Sequence, residues 1–381
     1  MIYFDNAATT SPKPQCVIHA VNNAMQKYAA NPGRGGHQMS MECAAMIYET
    51  RKKIADYFNA ASPEDVVFTS SCTAALNTVI QGLFQPGDHV IISSLEHNAV
   101  YRSVYALQQK GISFDIAEIS TDDTQTLQNF RQCIQPNTKA IICLHASNVF
   151  GRILPVEKIG KLCAEQKLIF IIDAAQSAGT IPVDIEKIGC HYLCVAPHKG
   201  LYAPMGTGIL ITDHLPRPLI YGGTGSLSQL PEQPDFTPDK YESGTVNVPG
   251  IAGISAGLDF VRCRGDKIYR HETDIIQMIY RALQKEPNIE FYTPFPDSRF
   301  VPVLSLNIRG KHSEETAKQL SEKNIAVRAG LHCSPLAHKA FGTTEQGTVR
   351  IAPSVFTSPY EAQYLIDAMQ KIARAKMKEK H

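Results

Sequence analysis

The chain has 381 residues, of which 37 are Lys or Arg and 36 are Asp or Glu, so its formal net charge is +1. A chain of this length fits about two domains of ~100–200 residues each. Because the charges balance and no basic stripe or acidic tail interrupts the sequence, the composition argues against nucleic acid and anionic membranes as partners.

Targeting and metal-binding signals are also lacking in the sequence. Nowhere do about 18 apolar residues run together, and the opening MIYFDNAATTSPKP has no cationic start followed by an apolar stretch. We therefore expect a cytoplasmic protein without membrane contact. The ten cysteines show neither CxxC pairs nor metal-ligand spacing, which predicts reduced thiols and no metal site.

Short β-branched runs alternate with longer helical patterns in the first half of the chain. The runs that predict strands are 66–70, 89–94, 140–144, 168–173, 192–196 and 208–212. The helical patterns lie at roughly 40–59, 73–83, 99–110 and 156–166. This alternation is typical of βαβ units, so we expect parallel strands covered by helices on both faces.

The second half of the chain has a different pattern. Residues 214–241 are too rich in Pro and Gly for a helix or strand, and we interpret them as a long functional loop near a domain boundary. The patterns beyond it are a helix over 250–264, an amphipathic segment near 270–285, a strand pair around 301–308 and 324–328, and a final helix from about 359. We therefore expect a large domain over 13–245 and a smaller α+β domain formed by 1–12 and 246–381.

Ligands of open parallel sheets bind beyond the carboxyl ends of the strands, so the residues that follow each apolar run are candidates for a site. Cys72 and Thr73 open a helix whose N–H groups and positive dipole end suit a phosphate, although an ordinary Thr N-cap is the alternative. Asp173 stands at another strand end with Gln176 three residues on, although a helix-capping aspartate would also explain it.

Two further strand ends carry a histidine and an asparagine each. The run at 140–144 is followed by HASNVFG, which contains His145 and Asn148, and the run at 89–94 is followed by LEHNAV, which contains His97. Satisfied structural polar residues are the alternative for both places.

Lys199 follows the apolar run at 192–196 and stands between His198 and a glycine-rich turn. Most lysines are solvated surface residues, and this is the alternative here. Taken together, however, a lysine at one strand end, Asp173 at a neighbouring strand end and a phosphate-type helix start match what pyridoxal phosphate requires. The lysine binds the aldehyde as an imine, the carboxylate keeps the pyridine nitrogen protonated, and the helix N-terminus anchors the phosphate.

The sequence also resembles a known family over nearly its whole length: the class V, fold-type I pyridoxal phosphate enzymes, and within them the cysteine desulfurases of the group II, selenocysteine lyase-like branch. The motifs that carry the resemblance are, in order, YFDNAATT, NPGRGGH, VVFTSSCTAALN, EHNAV, HASNVFG, DAAQSAG, HKGLYAPMGTG, YESGTVNVPG, VRAGLHC and VRIAPSVF. The resemblance implies a fold-type I transferase with a mainly parallel seven-stranded sheet covered by helices, and a smaller α+β domain.

The resemblance also implies a role for each matching residue around pyridoxal 5'-phosphate. It implies that Lys199 forms the covalent link, that Asp173 pairs with the pyridine nitrogen and that Gln176 binds the phenolic oxygen. His97 would stack on the ring and act in catalysis, and Asn148 would lie beside the ring and the substrate.

Further residues match the family's phosphate and substrate contacts. The resemblance assigns Thr73 and His198 to the phosphate, and Cys72 belongs to the same cofactor-binding helix start. It assigns Thr245 to the phosphate of a neighbouring subunit's cofactor, which implies a homodimer, because a shared site at an isologous interface occurs twice. On the substrate side, together with Asn148, it implies Arg350, Ala8 and Arg34, with Arg350 binding the carboxylate.

Cys333 is the residue on which a desulfurase reaction depends. Most cysteines are small buried hydrophobes, which is the alternative for this one. Its surroundings contain Gly330 instead of helical periodicity, and Arg328, His332 and His338 stand near enough in sequence to stabilise a thiolate. The resemblance places the persulfide-forming cysteine here. It implies that L-cysteine becomes L-alanine and that sulfur passes to an acceptor protein, for uses such as iron-sulfur cluster assembly.

Three alternative functions remain open on the sequence. A selenocysteine lyase would share every motif and act on L-selenocysteine. Another class V reaction, such as aminotransfer or epimerisation, would use Lys199 and leave Cys333 idle. A non-enzymatic sulfur-relay protein on the same fold would have no reason to keep both Lys199 and Asp173.

The sequence departs from the family's usual pattern in two places, at the residues before His198 and at Cys72. The family has a hydroxyl-bearing residue two positions before the histidine of the lysine motif and a glycine between them, whereas this chain has Ala196 and Pro197. Proline removes a backbone donor. Cys72 likewise stands where a hydroxyl residue is common. We therefore expect weaker binding of the cofactor's phosphate and unchanged chemistry at Lys199.

Overall fold

The structure is a computed structural model that describes residues 1–32, 35–293 and 299–378. The chain divides into two compact units. The large unit contains 13–145 and 155–263, and the small unit contains 1–12, 146–154 and 264–381. Among the described residues, no helix is both long enough and apolar enough to cross a membrane.

The helices and strands are numbered in chain order. The helices are α1 Gln15–Lys27, α2 Gln38–Phe58, α3 Cys72–Leu83, α4 Asn98–Leu107, α5 Asp123–Gln132, α6 Val156–Gln166, α7 Ile185–Ile188, α8 Val248–Arg264, α9 Lys267–Leu283, α10 Ser313–Ser321, α11 Pro335–Ala340 and α12 Pro359–Lys378. The strands are β1 Ile2–Tyr3, β2 Val66–Thr69, β3 His89–Ser93, β4 Ser113–Ala117, β5 Thr138–Leu144, β6 Ile169–Asp173, β7 Tyr192–Val195, β8 Gly208–Ile211, β9 Ile289–Phe291, β10 Leu304–Ile308, β11 Ile325–Ala326, β12 Arg328–Gly330 and β13 Thr348–Ile351.

A seven-stranded sheet forms the centre of the large unit, in the order β2-β8-β7-β6-β5-β3-β4. The neighbours from β4 to β7 pair in parallel. Every residue of β3 and β7 is buried, which fits strands that read as continuous apolar runs. The expected mainly parallel seven-stranded sheet is confirmed.

One strand of this sheet, β8, is not parallel to its neighbours, contrary to our expectation. The run at 208–212 forms β8, which is antiparallel to both of its neighbours, β7 and β2. A parallel neighbour needs a long crossover connection, whereas an antiparallel neighbour can follow a short loop. The connection between β7 and β8 contains no helix, so the chain returns beside β7 in the opposite direction.

The six predicted strands and four predicted helices of the large unit are confirmed, but β4, α1, α5 and the four-residue helix α7 were not predicted. β4 has one buried residue among five, and it lies at the edge of the sheet. Only two residues each are buried on α1 and α5. Segments that bury so few side chains have a weak apolar period, and this period is the main signal of secondary structure in a sequence.

The predicted long loop is also confirmed, because no helix or strand lies between β8 and α8 in this fully described stretch.

The small unit contains a four-stranded sheet in the order β12-β13-β10-β9 and a parallel pair of β1 and β11. Its core joins β10, the helices α9 and α12 and the residue after β1 through buried side chains such as Leu306, Ile276, Met369 and Phe4. The expected helices at 270–285 and from 359 are confirmed in this unit as α9 and α12, and the one at 250–264 is confirmed as α8, which belongs to the large unit except for its last residue. The expected pairing of 301–308 with 324–328 is wrong, because β10 pairs with β9 and β13 while β11 pairs with β1.

Candidate active site

Two neighbouring strands of the large sheet end in the predicted site residues. β6 ends at Asp173, which lies opposite Cys194 of β7, and Lys199 follows β7 in a turn. Asp173 is 5% exposed. Because β6 and β7 are parallel, both ends lie at the carboxyl edge of the sheet, where ligands of such sheets bind.

The turn that carries Lys199 packs closely against the loop that follows Asp173. A Cβ added at Gly200 would lie 2.3 Å from the carbonyl oxygen of Ala178, so only glycine allows this approach. Within the turn, the Tyr202 N–H donates to the carbonyl oxygen of Lys199 at 2.8 Å. The backbone around Lys199 is therefore fixed before any ligand binds.

Lys13 supports the same turn, since its Nζ donates to the carbonyl oxygen of His198 at 2.7 Å. Burial lowers the pKa of Lys13 to about 8. Burial and the charges of Lys199 and Lys13 lower the pKa of His198 to about 4. The imidazole of His198 is therefore neutral at physiological pH, and it can accept or donate one hydrogen bond without adding charge.

The carboxylate of Asp173 is oriented by two donors. Its Oδ1 accepts from the Ala175 N–H at 2.8 Å and from the Cys72 thiol at 3.6 Å. Burial and the Asp173 charge raise the pKa of Cys72 well above its ordinary value, and the Lys199 charge opposes them. Cys72, Asp173 and Lys199 therefore lie within electrostatic range of one another. No helix begins at Asp173, since the next one is α7, so a helix-capping role is wrong for this residue.

The N-terminus of α3 lies next to Asp173, because Cys72 is the first residue of α3 and its thiol contacts the Asp173 carboxylate. Ser71 is the N-cap, and its Oγ accepts from the Ala74 N–H at 3.1 Å. The alternative of an ordinary Thr N-cap is therefore wrong, and the Thr73 side chain is exposed. The positive end of α3 and the Asp173 carboxylate thus share one edge of the sheet.

His97 follows β3 and caps α4, with its Nδ1 accepting from the Ala99 N–H at 3.0 Å. The residue before it, Glu96, is fully buried, and its Oε1 accepts from the Leu144 N–H at 2.9 Å and from the Ser93 hydroxyl. Burial raises the pKa of Glu96 to about 8, so this carboxyl is mostly protonated at pH 7. Sequence reasoning missed Glu96, although an acid three residues beyond the end of a buried strand was the available signal.

The other two predicted cofactor residues of the large unit lie in loops. Gln176 is half-buried in the loop that follows Asp173. Thr245 is exposed, and it lines a cavity of about 280 Å³ together with Ser70, Thr207 and Asn247. The cavity lies between the end of the long loop and the start of β8.

The small unit holds Arg350, which lies on β13 and is 1% exposed. Its Nη2 pairs with Asp5 Oδ1 at 2.7 Å, and its Nη1 donates to the carbonyl oxygen of Asn148 at 3.0 Å. Burial lowers the pKa of Arg350, and the Asp5 carboxylate opposes this shift. Its Nε has no hydrogen-bond partner among the described residues, so one N–H of the buried guanidinium remains for a ligand. Ala8 is half-buried in the turn after Asp5.

Cys333 also lies in the small unit, in the turn between β12 and α11, and it is exposed. The Arg328 Nη2 lies 3.7 Å from its Sγ. The two histidines expected to help are buried instead: burial lowers the pKa of His332 to about 2 and that of His338 to about 4. Both rings are neutral, and their hydrogen bonds go to Thr348 and Thr343, so Arg328 is the expected residue whose contact with the Cys333 thiol the structure shows.

Asn148 lies in the small unit as well, and both ends of its amide contact the Cys333 turn. Its Nδ2 donates to the carbonyl oxygen of His332 at 2.8 Å, and its Oδ1 accepts from the Ser334 hydroxyl at 2.7 Å. Arg34, the last predicted substrate residue, lies outside the described residues.

A mainly parallel sheet with a lysine, a carboxylate and a helix N-terminus at its carboxyl edge, followed by a smaller α+β unit, defines an enzyme of the fold-type I class. The sequence profile of the aminotransferase class-V family matches residues 2–365. The chain therefore belongs to the aminotransferase class-V family, and the resemblance inferred from the motifs is confirmed.

Relatives and solved structures agree with this assignment. The chain is 32% identical to a probable cysteine desulfurase of Pyrococcus abyssi, over 98% of this chain and 95% of the relative. It is 30% identical to a probable cysteine desulfurase of Methanothermobacter thermautotrophicus, over 98% of this chain and 94% of the relative. The apo structure of a cysteine desulfurase from Thermococcus onnurineus NA1 is similar with a TM-score of 0.89 and 31% identity, covering 98% of this chain and 95% of that one.

Proposed function

We propose that the protein is a pyridoxal phosphate-dependent cysteine desulfurase that converts L-cysteine to L-alanine and receives the sulfur as a persulfide on Cys333. The observation that carries this proposal is the exposed Cys333 thiol, 3.7 Å from the Arg328 guanidinium. A thiolate is the nucleophile that sulfur transfer requires, and a neighbouring guanidinium favours that charged form. The relatives named probable cysteine desulfurase support the same activity.

The residues of the large unit fit pyridoxal phosphate. Lys199 offers the amine for the aldehyde, Asp173 offers a buried carboxylate for the pyridine nitrogen, and the N-terminus of α3 offers donors for the phosphate. The contact between Cys72 and Asp173 supports this fit, because it brings the helix N-terminus and the carboxylate together. When bound, the cofactor takes up the electron pair that is left when the substrate loses its Cα proton.

The remaining residues of this unit would hold the cofactor by shape and hydrogen bonds. His97 would stack on the ring, since its Nδ1 is already used for the cap of α4 and fixes the imidazole. Gln176 would donate to the phenolic oxygen. Thr73 and the neutral His198 would contact the phosphate, and the phosphate keeps its negative charge best beside the positive end of α3.

Lys199 is the base for the Cα proton. An amine can accept a proton only when it is uncharged, and a nearby positive charge favours that form. Lys13 lies close by, with its Nζ on the carbonyl oxygen of His198. Lys13 therefore supports the turn that carries Lys199, and its positive charge contributes to the lowered pKa of His198.

Arg350 would bind the carboxylate of cysteine, assisted by Asn148, Ala8 and Arg34. The buried guanidinium already has Asp5 as its partner, so its orientation is set before the substrate arrives. A guanidinium presents a planar pair of donors, which matches a carboxylate. The unpartnered Nε supports this role because it is a buried donor that a ligand can satisfy.

In the sulfur step, the Cys333 thiolate attacks the sulfur of bound cysteine. A sulfur–sulfur bond forms and the carbon–sulfur bond breaks, with its electron pair remaining on carbon, which then takes a proton. The substrate carbon is reduced to the methyl group of alanine, and the Cys333 sulfur is oxidised to the persulfide. The exposure of Cys333 supports the onward transfer of this sulfur to an acceptor protein.

We also propose a homodimer in which Thr245 reaches the phosphate of the partner's cofactor. Thr245 is exposed and lines a cavity. The long loop before it exposes apolar side chains, with Ile220 65% and Tyr221 67% exposed. Such side chains favour burial against another protein surface.

Product analysis tests the proposed function. With L-cysteine and a reductant, the purified protein is expected to release alanine and sulfide in equal amounts, because each persulfide formed corresponds to one alanine. Without a reductant, alanine formation should stop after about one turnover per Cys333. Release of a keto acid in place of alanine would overturn the proposal in favour of aminotransfer. Relative rates on cysteine and selenocysteine separate a desulfurase from a selenocysteine lyase.

Arg350→Lys is expected to reduce kcat/KM for cysteine by roughly 30- to 1,000-fold. A lysine cannot keep both Asp5 and a substrate carboxylate in a planar two-point contact, and such a loss costs roughly 2–4 kcal/mol of transition-state stabilisation. Steady-state kinetics with cysteine measure the effect. Arg309→Lys, at an exposed position of the same unit, is the matched control. An unchanged kcat/KM for Arg350→Lys would show that Arg350 does not bind the substrate carboxylate.

A further inference from the structure

The turn that carries Cys333 has an unusual backbone. Gly330, His332 and Cys333 have φ values of 97°, 48° and 57°. Residues with a side chain rarely adopt this left-handed region, because the Cβ crowds the backbone. Two such residues in succession persist only where the surroundings hold them in place. The structure must therefore contain contacts that fix this turn.

Asn148 provides these contacts on both sides of Cys333. Its Nδ2 donates to the carbonyl oxygen of His332, and its Oδ1 accepts from the Ser334 hydroxyl. The direction of the amide is determined, because a carbonyl oxygen can only accept and must therefore face the Nδ2 group. One side chain thus holds the residue before Cys333 and the residue after it.

The clamp formed by Asn148 and Ser334 is buried, whereas the cysteine between its two contacts is exposed. Ser334 is 0% exposed, His332 3% and Asn148 6%. Hydrogen bonds in such a place do not compete with water, and losing one partner leaves the other unsatisfied. The clamp therefore restrains the turn without covering the thiol.

Asn148 is itself fixed to Arg350. The Arg350 Nη1 donates to the carbonyl oxygen of Asn148 at 3.0 Å, and the Ser305 hydroxyl donates to the carbonyl oxygen of Val149. A chain of hydrogen bonds thus runs from Arg350 through Asn148 to the residues on either side of Cys333. All of these residues belong to the small unit.

We propose that Asn148 and Ser334 are positioning residues that hold the Cys333 sulfur at a fixed distance from the Arg350 guanidinium. This inference rests on the proposed function, in which Arg350 binds the carboxylate of cysteine and Cys333 attacks its sulfur. Carboxylate and sulfur have a fixed separation within one cysteine molecule. A fixed separation of Arg350 and Cys333 therefore aligns the nucleophile with its target, and a small misplacement is costly in such a reaction.

Ser334→Ala tests this proposal, because it removes one of the two hydrogen bonds of the clamp and does not alter the side chains of Arg350, Cys333 and Lys199. In a single turnover with saturating cysteine, we expect the change in cofactor absorbance on cysteine binding to keep its wild-type rate and amplitude. Rapid quench and mass spectrometry measure the rate of persulfide formation on Cys333, and this rate should fall by about 10- to 100-fold. Ser334→Thr, which keeps the hydroxyl, should recover most of the rate.

Ser354→Ala is the matched control, since it makes the same change at another buried serine of the small unit. Both rates should stay at their wild-type values in this variant. If Ser334→Ala fails to fold, Asn148→Asp replaces the test, because it keeps the acceptor for Ser334 and loses the donor to His332. Measured at saturating cysteine, it should also slow persulfide formation.

The outcomes separate this proposal from the proposed function. Wild-type protein that forms no persulfide on Cys333 would refute the proposed function. Wild-type protein that forms it, together with a folded Ser334→Ala or Asn148→Asp variant that forms it at the same rate, would refute the clamp alone.

Discussion

Lys199→Ala is expected to abolish the covalent attachment of pyridoxal phosphate and to lower the rate of alanine formation by about 10³-fold or more. Proton transfer by a positioned base contributes roughly 10²–10⁴-fold, and this variant also loses the amine that binds the aldehyde. The variant should still bind the cofactor without a covalent bond, because Asp173 and the N-terminus of α3 do not depend on the Lys199 side chain.

Borohydride reduction followed by peptide mass spectrometry measures this attachment. Wild-type protein should carry the reduced cofactor on the peptide that contains Lys199, and the variant should carry none. Lys161→Ala, at an exposed position on α6, is the control and should behave as wild type. Reduced cofactor on another lysine of the wild-type protein would assign the attachment elsewhere.

Cys333→Ala is expected to keep the yellow colour and the spectral change on cysteine binding, and to lose nearly all alanine formation from cysteine. Cofactor attachment requires Lys199 and Asp173 of the large unit, and carboxylate binding requires Arg350, so these steps do not use the thiol. The sulfur step does use it, because the carbon–sulfur bond breaks when a thiolate takes the sulfur.

This variant also separates the alternative functions. An aminotransferase or epimerase of class V would leave Cys333 idle, so Cys333→Ala would then act at the wild-type rate. Cys263→Ala is a control, since Cys263 is also exposed but lies on α8 of the large unit. Selenocysteine is the poorer substrate for this comparison, because selenium can leave without attack by a thiolate.

Much of the fold could be predicted from the sequence because apolar periodicity reports burial directly. The strands β3 and β7 are buried at every residue, β5 and β6 are buried beyond their first one or two residues, and the buried stretches read as mainly apolar runs. β4 and α5 were missed because they bury few side chains. The antiparallel direction of β8 could not be predicted from its own residues, because direction depends on the connection and on which strands become neighbours.

The candidate site was predictable where it depends on residue type at a strand end. Asp173, Lys199 and the N-terminus of α3 meet this description. The state of the histidines was not predictable, because the neutrality of His332 and His338 follows from burial. The contacts of Asn148 with the Cys333 turn join residues 184 and 186 positions apart, and no local pattern in a sequence indicates such a pair.

Cys72 shows how one substitution can change the role of a position. The sequence suggests a lost phosphate contact, because a thiol replaces the usual hydroxyl. In the structure this thiol donates to Asp173 Oδ1 at 3.6 Å, and burial keeps it protonated. Cys72 is therefore expected to bind the phosphate more weakly than a hydroxyl residue would, while it helps to orient the Asp173 carboxylate for the pyridine nitrogen.

The most direct test of the desulfurase proposal is mass spectrometry of the protein after brief exposure to L-cysteine. The peptide that contains Cys333 should gain the mass of one sulfur atom, a reducing agent should remove it, and the other nine cysteines should show no comparable adduct. The Cys333→Ala variant, treated in the same way, should carry no added sulfur. A wild-type protein that converts cysteine to alanine without any persulfide on Cys333 would contradict the account.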